Sequence, residues 1–236
     1  MSDTTRLGLP LLQPAQAQKH VTVNESLMRL DGIVQLTLVS RTQSTPPASV
    51  GDGVCYAVPS GAVNAWAGQA GRIAIGANGG WVFADPARGW RAMILDEGAT
   101  SLFDGTAWRD GMVTLSPHNA GLSFGVAEID HVIASGPTST TVVVIPAPSV
   151  VIGVTARVTQ AITGTLASWT LGTAVSPGQF GTGLGLATGS WCRGLLGQPT
   201  AYYLPEALQL DGTGGDFSGG TIRIAVHFME IALPDQ

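Results

Sequence analysis

Three groups of residues in the C-terminal half have types and spacings that could carry chemistry. The first is GLSFG at 121–125, which matches the G-x-S-x-G motif and gives Ser123 the position of a nucleophile. Asp211 or Asp216 and then His227 follow in the chain order of an α/β-hydrolase triad. That chemistry needs a strand-to-helix turn at Ser123, and the flanking sequence predicts no such helix. We therefore interpret the motif as a coincidence and expect His227 to face solvent from a strand.

The second group consists of carboxylates that could pair for glycoside cleavage, which needs two carboxyl groups at a defined separation. Its members are Glu128, Asp130, Glu206, Asp211, Asp216 and Glu230. The segment DGTGGD at 211–216 offers too few oxygen ligands for calcium. Cys55 and Cys192 are too few for a cysteine zinc site, so we expect both to be buried as small apolar residues. We predict no metal and no cofactor.

The third group is aromatic and polar and has the residue types that bind sugars. Sugar rings pack their apolar C–H faces on aromatic rings, while charged and amide groups hydrogen-bond the hydroxyls. Tryptophan and tyrosine are also common core residues of β-sandwiches, so both interpretations stay open. The candidate glycan contacts are Trp169, Trp191, Arg193, Tyr202, Tyr203, Glu206 and Asp211.

Strands must position these side chains, because residues 113–236 alternate apolar runs with Gly, Ser and Thr turns. In TIRIAVHFMEIAL at 221–233 the apolar residues recur with the period of two that a half-buried strand shows. Roughly eight such runs predict an antiparallel β-sandwich, jelly-roll-like in arrangement, as the C-terminal domain.

Residues 41–112 form a second stretch, with tryptophans at positions 66, 81, 90 and 108. ANGGW at 77–81 and FDGTAW at 103–108 predict two hairpins with tight Asn-Gly or Asp-Gly turns. Exposed, the tryptophan rings would form a stacking surface for sugars. We expect burial instead, because a small β module needs large apolar side chains for its core.

Residues 1–40 contain the one predicted helix, at about 24–36, with Asn24 as its N-cap. Leu27, Leu30 and Val34 fall on one face of this helix. A helix of three turns is marginal by itself, so its apolar face must pack on its own domain or on a neighbouring subunit. The fold class that follows is mostly β: a short N-terminal helix, a small Trp-rich β module and a C-terminal sandwich.

The composition excludes several classes of protein. Charged residues make up 11% of the 236 residues, against about 25% in ordinary soluble domains, so the surface favours association. The net charge is −5 and Lys19 is the single lysine, which argues against nucleic-acid binding. No signal peptide and no membrane span is predicted. We expect a soluble protein that is made in the cytoplasm and, if it acts outside the cell, leaves without secretion.

Residues 7–110 also carry a resemblance, in the run LPLLQPAQAQKHVTVNESLMRLDGIVQLTLVSR and the spaced Trp-Gly motifs after it. They resemble a family of alphaproteobacterial prophage and gene-transfer-agent structural proteins, the head spikes or head fibres. The second half, with FGTGLGLATGSW and PTAYYLPEALQLDG, resembles the C-terminal domain often joined to it.

The resemblance implies a spike of a phage-like particle that binds the capsular polysaccharide of a recipient cell. Its N-terminal part would anchor the spike to a head protein. Because such spikes are commonly trimeric, Leu27, Leu30 and Val34 are expected at a subunit contact. The family's pattern supplies no catalytic residues. Two alternatives stay open: a capsule-degrading glycosidase, lyase or esterase, and a purely structural connector of the particle.

Overall fold

The computed structural model describes residues 3–12 and 19–235, except for the side chain of Lys19. The chain divides into two compact units, residues 1–112 and 113–236. The predicted fold class is confirmed: over the described residues the chain is mostly β, with one short N-terminal α-helix. No helix in the described part of the chain is both long enough and apolar enough to cross a bilayer.

The first unit combines the helix with one seven-stranded sheet. Its strands lie in the order β4-β3-β2-β1-β5-β6-β7, and the central strand β1 runs parallel to both of its neighbours. The short strand β1 therefore joins the segment after the helix to the tryptophan-rich stretch. The elements are α1 (Lys19–Ile33), β1 (Thr37–Leu38), β2 (Cys55–Ala57), β3 (Ile73–Ala77), β4 (Gly80–Ala84), β5 (Arg91–Ile94), β6 (Ala99–Phe103) and β7 (Trp108–Asp110).

The predicted helix boundary at about residue 24 is wrong, because α1 begins within the described chain at Lys19 and ends at Ile33. Asn24 is not the N-cap. Its side-chain amide instead accepts a hydrogen bond from the Leu12 N–H (2.8 Å) and donates one to the Leu12 carbonyl (3.0 Å). The preceding residues of the predicted N-terminal segment, 13–18, lie outside the described part of the chain.

Gly32 allows α1 to approach the sheet closely. A Cβ atom at this position would lie 2.6 Å from Cγ2 of Ile75 on β3, closer than two carbon atoms tolerate. The glycine that lowers helix propensity by about 1 kcal/mol therefore serves tertiary packing. Met28 is buried on the same side of the helix, whereas Leu30 and Val34 are exposed.

A buried carboxylate fixes the N-terminal segment to the end of the helix. The fully buried side chain of Asp31 accepts hydrogen bonds from the Thr4 hydroxyl (2.8 Å) and the Arg6 N–H (3.0 Å). The Arg6 guanidinium donates to the carbonyl oxygens of Gly32 (2.8 Å) and Gln35 (2.7 Å). Arg6 thus satisfies carbonyl groups that the end of a helix leaves without partners.

The two predicted hairpins turn in different ways. Asn78 and Gly79 connect β3 to β4 with φ values of 51° and 74°, the two positive values of a type I′ turn, so the first prediction is confirmed. The second hairpin, between β6 and β7, has a four-residue loop and not a tight Asp-Gly turn. Its geometry depends on the buried carboxylate of Asp104.

Asp104 binds its own loop. One carboxylate oxygen accepts hydrogen bonds from the Thr106 N–H and hydroxyl and from the Ala107 N–H, and the other accepts one from Arg109 Nε (2.6 Å). Burial by itself would raise the pKa of Asp104, but these hydrogen bonds outweigh it and hold the pKa well below its usual range. The hydrogen bonds to Asp104 thus stabilise a four-residue loop in place of the predicted tight Asp-Gly turn.

The tryptophans of the first unit contribute to its core, as predicted. Trp66 is fully buried and packs against Tyr56 and Trp81, with ring centroids 5.2 and 5.0 Å away. Trp90 and Trp108 are partly buried against a second cluster of apolar residues from the same sheet.

The second unit is an antiparallel β-sandwich, as predicted. A five-stranded sheet, in the order β14-β11-β16-β9-β8, and a four-stranded sheet, β10-β15-β12-β13, bury one common core. The strands are β8 (Met112–Leu115), β9 (Gly121–Val132), β10 (Thr138–Ile145), β11 (Ser149–Gly164), β12 (Ser168–Gly172), β13 (Gly181–Leu184), β14 (Trp191–Tyr202), β15 (Glu206–Thr213) and β16 (Phe217–Ala232).

We predict that Asp104→Asn lowers the free energy of unfolding by about 2 kcal/mol at pH 7, because it disrupts a buried acceptor of several hydrogen bonds. Because folding lowers the pKa of Asp104, its carboxylate contributes fully to the free energy of unfolding above the unfolded-state pKa of Asp, about 3.9. This contribution is lost as the pH falls below that value. The difference between wild type and variant should therefore shrink below about pH 4. Urea unfolding at several pH values, followed by tryptophan fluorescence, measures it.

The control is Asp96→Asn, which changes an exposed carboxylate of the same unit. It should leave the unfolding midpoint unchanged at every pH. Equal stability of Asp104→Asn and wild type at pH 7 would contradict the role assigned to this side chain.

Candidate functional site

The residues of the G-x-S-x-G motif lie within a strand. Ser123 is in β9, whose uninterrupted pairing with β16 sets Ser123 opposite Glu230 and Val126 opposite His227. Because successive side chains of a strand alternate between faces, Ser123 and His227 belong to opposite faces of the sheet. They cannot form a nucleophile–base pair. His227 instead lies 3.0 Å from the Thr155 hydroxyl through Nε2.

The candidate acids of the triad are also distant from His227. Asp216 precedes Phe217, the first residue of β16, and is therefore roughly 30 Å along the strand from His227. Asp211 is in β15 of the other sheet, where one carboxylate oxygen accepts a hydrogen bond from Gln209. The other oxygen of Asp211 is buried without a hydrogen-bond partner among the described residues.

Two of the seven predicted glycan contacts are core residues. Trp169 is 1% exposed and donates a hydrogen bond from its indole N–H to the Gly185 carbonyl (3.0 Å). Tyr202 is buried with its hydroxyl near Gln179, and burial, with a further contribution from Glu206, raises its pKa. Both rings are buried in the core of the sandwich, so neither presents a face to a ligand.

Three more candidates lie apart from the rest. Tyr203 is 82% exposed in the turn after β14, and Glu206 begins β15. The twelve residues of β14 separate Tyr203 from Trp191 by more than about 30 Å. Asp211 belongs to the four-stranded sheet, so the seven predicted glycan contacts do not form one site.

Trp191 and Arg193 remain together, on the outer face of the five-stranded sheet. Trp191 is 62% exposed, and the Arg193 guanidinium lies over its ring, 5.8 Å from the centroid. An exposed tryptophan beside an exposed arginine combines an apolar platform with hydrogen-bond donors. This pair forms one end of a surface groove.

Cross-strand pairing brings distant residues into this groove in two rows. The first row runs from Trp191 through Arg157 and Arg223 to Asp130, across β14, β11, β16 and β9. The second row, two residues along each strand, consists of Arg193, Thr155, Ala225 and Glu128. Trp191, the three arginines and Glu128 border this surface, which we call the arginine groove.

Small side chains make the arginine groove concave. Thr155 and Ala225 form its floor between longer residues, and it encloses about 490 Å³. A second concavity of about 310 Å³ shares Thr155 and Arg193 with it and extends along β11 past Gly153 to Leu195 and His227. The two together form an elongated, open depression that suits a linear ligand better than a small enclosed one.

The charges of the groove are unevenly paired. Arg223 donates to both carboxylate oxygens of Asp130 (2.8 and 2.7 Å) and lies 3.9 Å from Glu128. Among the described residues, neither Arg157 nor Arg193 takes part in an ion pair, although Arg157 is directly opposite Arg223. Sequence reasoning missed Arg157 and Arg223, because only the strand register aligns them with Trp191.

The carboxylates beside the groove differ from those of a glycosidase. Hydrogen bonds from Arg223 lower the pKa of Asp130. A general acid for glycoside cleavage needs a raised pKa, so this environment opposes that role. No cluster of three metal-ligating side chains occurs within residues 3–12 and 19–235. Both cysteines are buried, as predicted, and burial raises the pKa of Cys55 to about 11.

Of the three residues proposed for a subunit contact, Leu27 and Leu30 lie in α1, and Val34 directly follows the helix. Leu30 is 42% exposed, Val34 is also exposed and Leu27 is half-buried. Together with the exposed Val23 they recur at i, i+4, i+7 and i+11, the spacing of a coiled-coil seam.

Comparisons with known proteins match a family model and solved structures. A family model described as "Protein of unknown function (DUF2793)" matches residues 23–109, which lie wholly in the first unit. A solved chain of the "Cyanophage Pam1 capsid asymmetric unit" is 16% identical, with 50% of this chain and 91% of that chain covered. Its TM-score of 0.33 is too low to establish a shared fold. Among curated proteins, none matches the sequence.

We predict that Arg157→Glu stabilises the protein in the absence of ligand, because it replaces a like-charge cross-strand pair with an attractive one opposite Arg223. Arg157→Gln, which removes the repulsion without adding attraction, should be intermediate. Urea unfolding of the full chain at low ionic strength measures the order of midpoints, and added salt should compress it. A wild type more stable than both variants would contradict the assigned repulsion.

Proposed function

We propose that the protein is a structural spike or fibre of a phage-like gene transfer particle and that its C-terminal sandwich binds cell-surface polysaccharide. The observation that carries the proposal is the exposed Trp191 with Arg193 stacked on it at the end of an open groove. The resemblance of residues 7–110 to head spike proteins supports the particle role. The family match to residues 23–109 lies within that stretch and assigns it no function.

The shape of the groove suits an extended polymer. It is shallow and continues along β11 into the second concavity through shared residues. Several sugar units can therefore lie along it while the chain continues into solvent at both ends. One such site binds weakly, but many copies on a particle give strong attachment when they engage the same capsule.

The first unit supplies anchoring and assembly in this proposal. The apolar stripe of Val23, Leu27 and Leu30 on α1 continues to Val34 just after the helix, and such a stripe at heptad spacing gains stability when it packs on another helix. We assign it to a homotrimer contact, with a head protein of the particle as the anchoring partner. The protein is then made in the cytoplasm and acts outside the cell after particle release.

The direct test is to titrate the purified protein with capsular polysaccharide from candidate recipient cells. Calorimetry follows binding, and size-exclusion chromatography of the same sample follows polymer length. We predict saturable binding with the polymer intact, and at least tenfold weaker binding by Trp191→Ala, because the aromatic platform is lost. Trp90→Phe, a change in the first unit, is the control and should bind as wild type does.

Other results would select a different function. Progressive shortening of the polymer would favour the capsule-degrading enzyme, despite the lowered pKa of Asp130. No binding to any capsule would favour the structural connector. Binding that Trp191→Ala leaves unchanged would refute the groove as the site.

We predict that Leu30→Asp lowers the oligomeric state, because it puts a charge into the apolar seam of α1 without touching the core of the first unit. Multi-angle light scattering measures the mass, and circular dichroism checks folding. Ser26→Asp, on an exposed position of the same helix, is the control for an added charge. A trimer that persists in a folded Leu30→Asp variant would exclude this contact.

A further inference from the structure

The arginine groove collects every arginine of the second unit. Residues 113–236 contain seven acidic residues, no lysine and three arginines, and all three arginines line this one depression. Residues 157, 193 and 223 come from three different strands, so the pairing of those strands brings them together. In a unit that is acidic as a whole, this surface is the local exception.

Stability of the isolated chain does not account for the arrangement. Arg157 and Arg223 are directly opposite each other on neighbouring strands, and like charges in such pairs destabilise a sheet. Asp130 compensates Arg223 through two hydrogen bonds. In the described structure no carboxylate pairs with Arg157 or Arg193, although Arg193 lies over the Trp191 ring. An anion bound between these two guanidinium groups would supply the missing partner.

We infer that the polysaccharide bound in the arginine groove is acidic and that a sugar carboxylate binds between Arg157 and Arg193. This inference rests on the proposed polysaccharide binding. The planar guanidinium group matches a carboxylate through two parallel hydrogen bonds. Trp191 packs on a sugar ring beside the charged unit, and the Asp130–Arg223 pair holds the third cation in place.

A nucleic acid is a poorer fit to the same charges. Affinity for a phosphate backbone grows with the number of cations that replace its counterions, and here three arginines share their surface with Glu128 and Asp130. A polysaccharide whose carboxylates bind one at a time needs fewer cations at its binding site than a nucleic acid does. The test below includes DNA as an outcome.

The first experiment uses a pair of polymers with the same sugar backbone: polygalacturonate and its fully methyl-esterified form, in which every carboxylate is replaced by a neutral ester. Calorimetry with the full-length protein should give at least tenfold weaker binding to the ester. Arg157→Gln should weaken polygalacturonate binding about tenfold, because it removes a charged hydrogen-bond donor. The control Arg29→Gln removes an exposed cation of the first unit and should have no effect. Arg157→Gln should unfold in urea at or above the wild-type midpoint, and Arg29→Gln, which loses only an exposed ion pair with Glu25, close to it.

A second experiment separates this inference from the proposed function. Native capsular polysaccharide is compared with the same polymer after its carboxyl groups are reduced to alcohols. Weaker binding of the reduced capsule by wild type supports the acidic ligand. Equal binding of both forms overturns it and leaves polysaccharide binding in place.

The remaining outcomes are equally decisive. Arg157-dependent binding of polygalacturonate without any binding of capsule would support the carboxylate site and refute the proposed function. Tighter Arg157-dependent binding of single-stranded DNA than of polygalacturonate would overturn the acidic-sugar assignment. Binding of none of these polymers would overturn both proposals.

Discussion

The register of the five-stranded sheet is the constraint on which the candidate site depends. One face of this sheet must bury Ile222, Ile224 and Val226 in the sandwich core. Because side chains alternate along a strand, Arg223 and Ala225 must then face outward. A slip of one residue would exchange the two sets and bury charges. Burial of the core therefore determines which side chains lie on the outer face. The geometry of the arginine groove follows from this register and not from contacts among the groove's own residues.

The arrangement of charges in the arginine groove opposes the local stability of its sheet. Core packing holds Arg157 opposite Arg223, where the two charges repel each other. The Asp130–Arg223 ion pair relieves part of this repulsion. A ligand carboxylate would relieve the remainder. If the groove binds an anion as proposed, substitutions that stabilise the unbound chain here weaken that binding.

The first unit meets a different demand with buried polar side chains. Asp31 and Arg6 join the N-terminal segment to the C-terminal end of α1. Gly32 lets the helix pack on Ile75. The helix is thus held through one side, and its other side leaves Val23 and Leu30 exposed. A helix of this length gains most of its stability from such tertiary packing.

The sequence by itself determined the class of fold, because alternation of period two, turn residues and tryptophan spacing are local signals. It predicted the sandwich, the Asn78–Gly79 turn and the buried cysteines, and it singled out Trp191 and Arg193. Tertiary structure decided the rest. Asp104 replaced a tight turn with side-chain hydrogen bonds. Residues far apart in the chain became neighbours only through strand pairing, so the groove could not be read from spacing. Trp169 is buried and Trp191 is exposed, because the first lies on the core-facing side of its strand and the second on the outer side.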